Sequence, residues 1–263
     1  MQPTDCRALL TGASGGIGLA LAHRLASEGA HLLLVGRRLE PLQPLLQRFP
    51  QNVQLVQADI ATRSGRDALL AAAQNFGGFN CLINAAGVNR FGLLDQQDEQ
   101  QIAELIGLNV TATLQLTQRL LPLLRAQRRA LVINVGSTFG AIGYPGFAAY
   151  CASKFAVRGF SEALRRELAD THVRVLYFAP RATRTSMNAP SVVAMNDELG
   201  VAMDDPAQVA EELLDTIRRE QEERHLGWPE RLFVRLNGLL PRVVDQALRK
   251  QLPIIQRFAR HKH

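Results

Sequence analysis

Apolar and polar positions along this chain follow two alternating rhythms. Short, nearly continuous apolar runs recur at residues 6–11, 31–35, 53–58, 80–84, 130–135 and 173–178. Such runs, bounded by glycine, asparagine, proline or acidic residues, predict strands buried on both faces. Between them lie segments with helical spacing: a run to about residue 28, then 64–76, 98–127 and 148–169. Asp205-Pro206, a capping side chain followed by proline, opens another to about residue 223. Strands alternating with helices predict an α/β fold, a doubly wound parallel sheet covered by helices on both faces. Right-handed crossovers leave little topological choice. Residues 181–205 carry no clear period and predict an irregular segment, a substrate lid.

Beyond residue 223 the pattern changes. Leu226, Trp228, Leu232, Phe233, Leu236, Leu239, Leu240, Val243, Val244 and Leu248 recur at helical spacing, with Arg231, Arg235, Arg242, Arg249 and Lys250 interleaved. Pro229, Pro241 and Pro253 predict a division into short helices. The chain therefore divides into a catalytic-size unit, 1–223, and a basic amphipathic extension, 224–263.

Charge sharpens this division. The net charge is +6, but residues 224–263 hold nine Lys and Arg against two acids, leaving 21 bases and 22 acids elsewhere. The basic character belongs to the extension alone. No aromatic stacking platform accompanies it, so nucleic acid is not an expected partner. Two readings stay open: an interfacial anchor for anionic membrane, or an apolar face packed over the cleft or across a subunit interface. The three cysteines lie at irregular spacing, which suits neither a disulfide framework nor a zinc site, and no histidines cluster as ligands, so no metal is expected. Without a signal-like start or a transmembrane-length apolar run, a cytoplasmic location is expected, with peripheral membrane contact through the extension.

Candidate chemistry sits at the strand ends. Thr11-Gly12-Ala13-Ser14-Gly15-Gly16-Ile17-Gly18 lies between a strand and a helix. There, free backbone N–H groups and the helix dipole converge where a phosphate can bind. An acid about 20 residues further on usually holds the ribose 2′-OH of NAD; here Gly36 is followed by Arg37 and Arg38. A guanidinium pairs with a 2′-phosphate, so the cofactor expected is NADP(H). Asp59, Asn84 and Ser137 each end a strand, the edge at which open α/β sheets bind ligands. Tyr150 and Lys154 stand four residues apart on a predicted helix and so share a face. A lysine charge roughly 4–6 Å away is expected to lower the phenol's pKa. Lys154 is one of three lysines among 30 basic residues, in a chain that otherwise uses arginine.

Taken together, Thr11-Gly12 with Gly16-Ile17-Gly18, Asp59, Asn84-Ala85-Ala86-Gly87, Asn109, Ser137 and Tyr150 with Lys154 make residues 6 to about 223 resemble the short-chain dehydrogenase/reductase family. The resemblance implies a Rossmann fold and hydride transfer between a nicotinamide and a carbonyl or alcohol carbon. It implies that Tyr150 is the general acid and that Ser137 orients the substrate oxygen. Lys154 lowers the phenol pKa and binds the nicotinamide ribose, and Asn109 holds a relay water. It places Gly12, Ser14, Gly16, Ile17 and Gly18 at the diphosphate, Asp59 and Ile60 at the adenine, and Asn84, Ala85 and Gly87 near the adenosine ribose. Pro180, Thr183 and Thr185 fall at the nicotinamide, Thr185 binding its carboxamide.

Two positions depart from the family pattern. Arg181 replaces a customary glycine and either recognises an acidic group or points to solvent. Gly136 stands where a second serine is frequent, which is expected to loosen the Ser137 turn. Val88, Phe91, Ile142, Phe147 and Met187 favour an apolar, lipid- or acyl-like carbonyl or alcohol substrate. Family members pair through the helices at 98–127 and 148–169, so a homodimer or homotetramer is expected. Alternatives from other classes are a catalytically silent NADP-binding scaffold or sensor, and a membrane-surface binding protein acting through its tail.

Overall fold

The computed structural model describes residues 1–260; Lys262 and the end of the extension lie outside the described residues. Seven strands form one parallel sheet in the order β3-β2-β1-β4-β5-β6-β7. The first half runs β1 (Arg7–Thr11), α1 (Gly16–Ser27), β2 (His31–Gly36), α2 (Gln43–Arg48), β3 (Val53–Gln57) and α3 (Arg63–Asn75). The chain then returns to the centre with β4 (Cys81–Asn84), followed by α4 (Glu99–Ile106), a π-helical turn (Gly107–Ala112) and α5 (Thr113–Arg125). Next come β5 (Ala130–Val135), α6 (Ala148–Glu167), β6 (Val173–Ala179), α7 (Pro190–Glu198) and α8 (Pro206–Arg219). Last are β7 (Glu223–His225), α9 (Glu230–Leu239) and α10 (Pro241–Arg260).

The apolar runs are continuous because successive side chains enter different layers. Leu10, Leu32, Leu34 and Ile83 face the layer that holds α1 and α8; Leu9, Leu33, Val35 and Leu82 face the layer with α3, α5 and α6. The sheet grows outward in one direction through β2 and β3, and in the other through β4 to β7. The crevice between β1 and β4 is therefore the switch point. Thr11 stitches it: its hydroxyl oxygen accepts from Ala85 N at 3.1 Å and from Ala86 N at 3.2 Å.

Four elements differ from the sequence expectation. The helix expected over 98–127 is broken by the π turn, which carries Asn109 inward. The segment 181–205, expected to be irregular, contains α7, opened by Pro190 and burying Val192 and Met195. Residues 223–225 form a seventh strand beside β6, and Leu226 after it enters the core. Pro253 does not break the extension: α10 runs unbroken from 241 to 260. Val244, Ile255 and Ala259 keep one helix face buried across the proline, and this packing outweighs the lost backbone bond.

The extension lies on the body of the protein. Ile255 is fully buried in a cluster with Phe147, Cys151, Val192 and Met195. Asn237 donates to Ala141 O at 2.9 Å, Tyr144 donates to Gln251 at 2.9 Å, and Arg257 pairs with Glu198 of α7. Of the two tail readings, packing over the cleft describes these contacts.

Candidate active site

The glycine turn is built for close approach. Gly12 has φ +67°, and a Cβ there would lie 2.7 Å from Ala85 O. A Cβ on Gly18 would meet Gly12 O at 2.1 Å, and one on Gly16 would meet the Thr185 methyl at 2.6 Å. Helix α1 starts after Gly15 with no side-chain cap, so its first N–H groups are left for a ligand. This bare, positive helix end in a cradle that only glycine allows fits a dinucleotide diphosphate.

Ser137 follows β5 and begins a single 3₁₀ turn, its Oγ accepting from Phe139 N at 3.1 Å. Gly136 does not loosen this turn. A Cβ there would lie 2.3 Å from the Tyr177 ring, and Tyr177 donates to Ser137 O at 3.3 Å. The glycine makes room for a tyrosine of β6 that buttresses the serine.

Tyr150 and Lys154 project from one face of α6, Lys154 Nζ lying 5.7 Å from the Tyr150 ring centroid. Phe139 and Phe147 each meet the Tyr150 ring edge-on at 6.4 Å. Burial raises the phenol to about 12, while interaction with the Ser137 side chain pulls it down. Burial lowers Lys154 to about 8, and its Nζ donates to Val135 O at 3.1 Å. The lowering of the phenol expected from the lysine is not seen: desolvation dominates both groups.

A cavity of about 820 Å³ joins these parts. Gly12, Gly16, Ile17, Gly18, Arg37, Ala85 and Gly87 line one side of it. Ser137, Tyr150 and Lys154 line it with Pro180, Thr183 and Thr185. Val88, Ile142, Phe147 and Met187 add the expected apolar wall, whereas Phe91 stands behind it, 4.9 Å from the Phe147 ring. Ser14, Arg38, Asp59, Ile60, Asn84 and Asn109 are not on the cavity wall.

Their positions explain why. Ser14 is exposed beside Gly36, whose Cβ would lie 3.7 Å from its Oγ. Arg38 is exposed. Asp59 Oδ1 accepts from Ala61 N at 2.9 Å, while Ile60 is buried and its carbonyl accepts from Arg66 at 2.6 Å. Asn84 turns its amide inward, donating to Thr117 at 3.0 Å and to Asn134 at 2.9 Å. Asn109 is buried; its amide donates to Val88 O at 2.9 Å and to Ser153 Oγ at 3.0 Å, and accepts from Val88 N at 2.8 Å. Both of its N–H groups are thereby used, clamping the end of the β4 loop onto α6.

Several wall residues carried no sequence signal for a site. Tyr144 and Phe139 stack at 4.9 Å, and Arg90 stands at the rim. Trp228, Phe233, Leu248 and Gln251 bring the extension into the wall; of these, only the amphipathic spacing of the tail was visible beforehand. Arg181 does not reach for solvent. It pairs with Asp204 at 2.7 Å and Glu230 at 3.3 Å, and these bonds raise its pKa further, Asp204 foremost.

Comparison with known proteins agrees with this geometry. The family model described as short chain dehydrogenase matches residues 7–196. The chain is 33% identical over 192 residues to the 3-oxoacyl-[acyl-carrier-protein] reductase FabG of Vibrio cholerae, covering 73% of this chain and 77% of that one. A short chain dehydrogenase from Burkholderia cenocepacia, solved in complex with NADP, has the same fold: TM-score 0.81 at 24% identity, covering 94% of this chain and 99% of that one. So has a Burkholderia phymatum short chain dehydrogenase/reductase solved in complex with NAD, TM-score 0.81 at 23% identity, covering 93% and 97%. With the family model spanning the glycine turn, the Ser137 turn and the Tyr150–Lys154 face of one cavity, the chain belongs to the short-chain dehydrogenase/reductase family of oxidoreductases.

Proposed function

We propose that this oxidoreductase uses NADP(H) to reduce the carbonyl of an apolar, acyl- or lipid-like small molecule, or to oxidise the matching alcohol. The observation that carries the proposal is that Ser137, Tyr150 and Lys154 share one cavity with the glycine turn and Arg37. The apolar wall, and the name of the Vibrio cholerae relative, support an acyl-type substrate.

Gly12, Gly16, Ile17 and the start of α1 would hold the diphosphate, with Arg37 at a 2′-phosphate and Thr183 and Thr185 toward the nicotinamide. Bound there, the nicotinamide supplies or accepts the hydride. Ser137 donates its hydroxyl to the substrate oxygen. At neutral pH the Tyr150 phenol keeps its proton, so it is set to donate that proton as charge develops on the oxygen. The Lys154 ammonium, held by Val135 O, adds a positive field beneath the ring. Asn109 positions Val88 and Ser153 beside Lys154; a relay water on its Oδ1 is part of the proposal.

The same proposal includes a cytoplasmic location and a dimer or tetramer formed through α4, α5 and α6. Phe155, 43% exposed on α6, is the side chain such an interface would cover. Light scattering measures that assembly.

The test of the activity is NADPH oxidation over a panel of aliphatic, acyl and cyclic carbonyl compounds. Tyr150→Phe should lower turnover by roughly 10²–10⁴-fold while NADPH binding, read by fluorescence, persists. Unchanged turnover in that variant removes the assignment.

A further inference from the structure

Helices α9 and α10 are joined at Leu240 and pack against each other. Their inner side is committed: Val244 and Ile255 are buried, and Asn237 and Gln251 bond to the body. Their outer side is different. Trp228 is 73% exposed, Leu239 80%, Leu240 56%, Leu232 49% and Val243 48%. Among the described residues, no other stretch of similar length carries so many exposed large apolar side chains. A patch of this kind on a folded protein marks a surface that something covers.

The charges around it narrow the choice. Between residues 228 and 250 stand Arg231, Arg235, Arg242, Arg249 and Lys250, against Glu230 and Asp245. Glu230 is already paired with Arg181. Among the described residues no ion pair reaches Arg231, Arg235, Arg242, Arg249 or Lys250, and Arg231, Arg235 and Arg242 are exposed beside the leucines. Two-fold pairing with a second copy would press this arginine collar against itself. An apolar tip inside a cationic collar instead matches a surface that is apolar within and anionic at its rim. No described helix is long and apolar enough to cross a membrane, so such contact would be in the plane of the interface.

We propose that the outer face of α9 and α10, centred on Leu239 and Leu240, docks on an anionic lipid bilayer. Leu232, Leu239, Leu240 and Val243 enter the acyl boundary, and Arg231, Arg235 and Arg242 meet the headgroups. Trp228 and Phe233 belong both to this exposed face and to the cavity wall. Docking therefore sets the mouth of the cavity against the bilayer, where an apolar molecule can enter without first crossing water.

The experiment uses the full chain with sedimenting vesicles of phosphatidylcholine alone, or of phosphatidylcholine mixed with phosphatidylglycerol. It reads binding only, so its result is independent of the proposed reaction. The wild type should sediment with the mixed vesicles, bind neutral ones much less, and lose binding as salt rises. The pair Leu239→Asp and Leu240→Asp, both exposed, should abolish binding with an unchanged melting temperature. The triple change of Arg231, Arg235 and Arg242 to Gln should lower the partition coefficient at least roughly tenfold. The proposal is overturned by absence of wild-type binding, or by equal binding of wild type and both variants. Loss of a dimer in the leucine variant without any vesicle binding assigns the patch to a second copy instead. Capture of an acidic protein without vesicle binding assigns it to that partner.

Discussion

Arg181 holds Asp204 through two nitrogens, Nε lying 3.0 Å from both carboxylate oxygens and Nη2 2.7 Å from Oδ1. Asp204 is in turn fixed by its backbone, which bonds to Ala182 O at 2.8 Å and accepts from Arg184 N at 2.9 Å. The free edge of the same guanidinium reaches Glu230 at the start of α9. A Cβ on Gly227 would lie 2.6 Å from Arg181 Cδ, so glycine there allows the side chain to pass. One residue thus joins the end of β6, the segment before α8 and the first turn of α9. Fork geometry at a partly buried site is what arginine provides and lysine does not.

Removing this cation takes from Asp204 and Glu230 the guanidinium they share. Arg181→Gln is expected to destabilise the protein on the order of 1–3 kcal/mol, read by urea unfolding. Because the pairs hold residues 181–205 and the extension at the cavity wall, KM for the carbonyl substrate should rise by roughly tenfold. NADPH affinity should fall less, because the glycine turn and Arg37 lie apart from this pair, and only Thr183 and Thr185 on the cofactor side adjoin it. An equal loss for substrate and cofactor would mean that Arg181 acts on the whole site rather than on the substrate side of the cavity.

The two arginines after β2 are not equivalent. Arg37 lines the cavity and Arg38 does not, although both are exposed. Arg37→Ala should weaken NADPH by roughly ten- to a hundredfold and leave NADH nearly unchanged. Arg38→Ala should change either by no more than about twofold. Titration by nucleotide fluorescence separates the two; a loss shared by NADPH and NADH in the Arg37 variant would falsify the 2′-phosphate assignment.

The layers of the fold were legible because each strand of this sheet is buried on both sides, which forces the continuous apolar runs. β7 was not, because Glu223-Arg224-His225 is a polar edge triplet recruited by β6. α7 was hidden by its short length and weak apolar stripe. In the site, Ser137, Tyr150 and Lys154 could be placed because helical spacing and strand ends fix their direction. Asn84 and Asn109 could not: whether an amide at a strand end or in a helix turns toward ligand or core depends on neighbours such as Thr117, Asn134 and Ser153. Arg181 was similarly opaque, since its partners lie 23 and 49 residues away.

Ile255 tests how firmly the extension is part of the folded unit. It is fully buried against Phe147, Cys151, Val192 and Met195, and a Cβ on Gly146 would lie 3.4 Å from its Cγ2. Ile255→Ala should destabilise by about 2–5 kcal/mol if α10 unfolds together with the core. Denaturant unfolding with hydrogen exchange over 241–260 distinguishes this from local release of the helix. A loss well below about 1 kcal/mol, with rapid exchange confined to α10, would show an extension that opens alone.

Lys154 carries a signature that can be read without any substrate. Burial lowers its pKa from 10.5 to about 8 in the folded protein. Below pH 8 the ammonium is charged in both the folded and the unfolded chain, and the folded state bears the full penalty of holding it buried. Between pH 8 and 10.5 the folded protein has released that proton while the unfolded chain still binds it. There the unfolded state holds more protons, so stability rises with pH. Lys154→Met lacks this group and its pH dependence, although it leaves Val135 O without its donor. The difference in unfolding free energy, variant minus wild type, should therefore fall as pH rises from 8 to 10.5, by an amount on the order of 1–3 kcal/mol. A difference that stays flat across that window would mean that the lysine is not desolvated, and its role would then have to rest on its bond to Val135 and its place beside Tyr150.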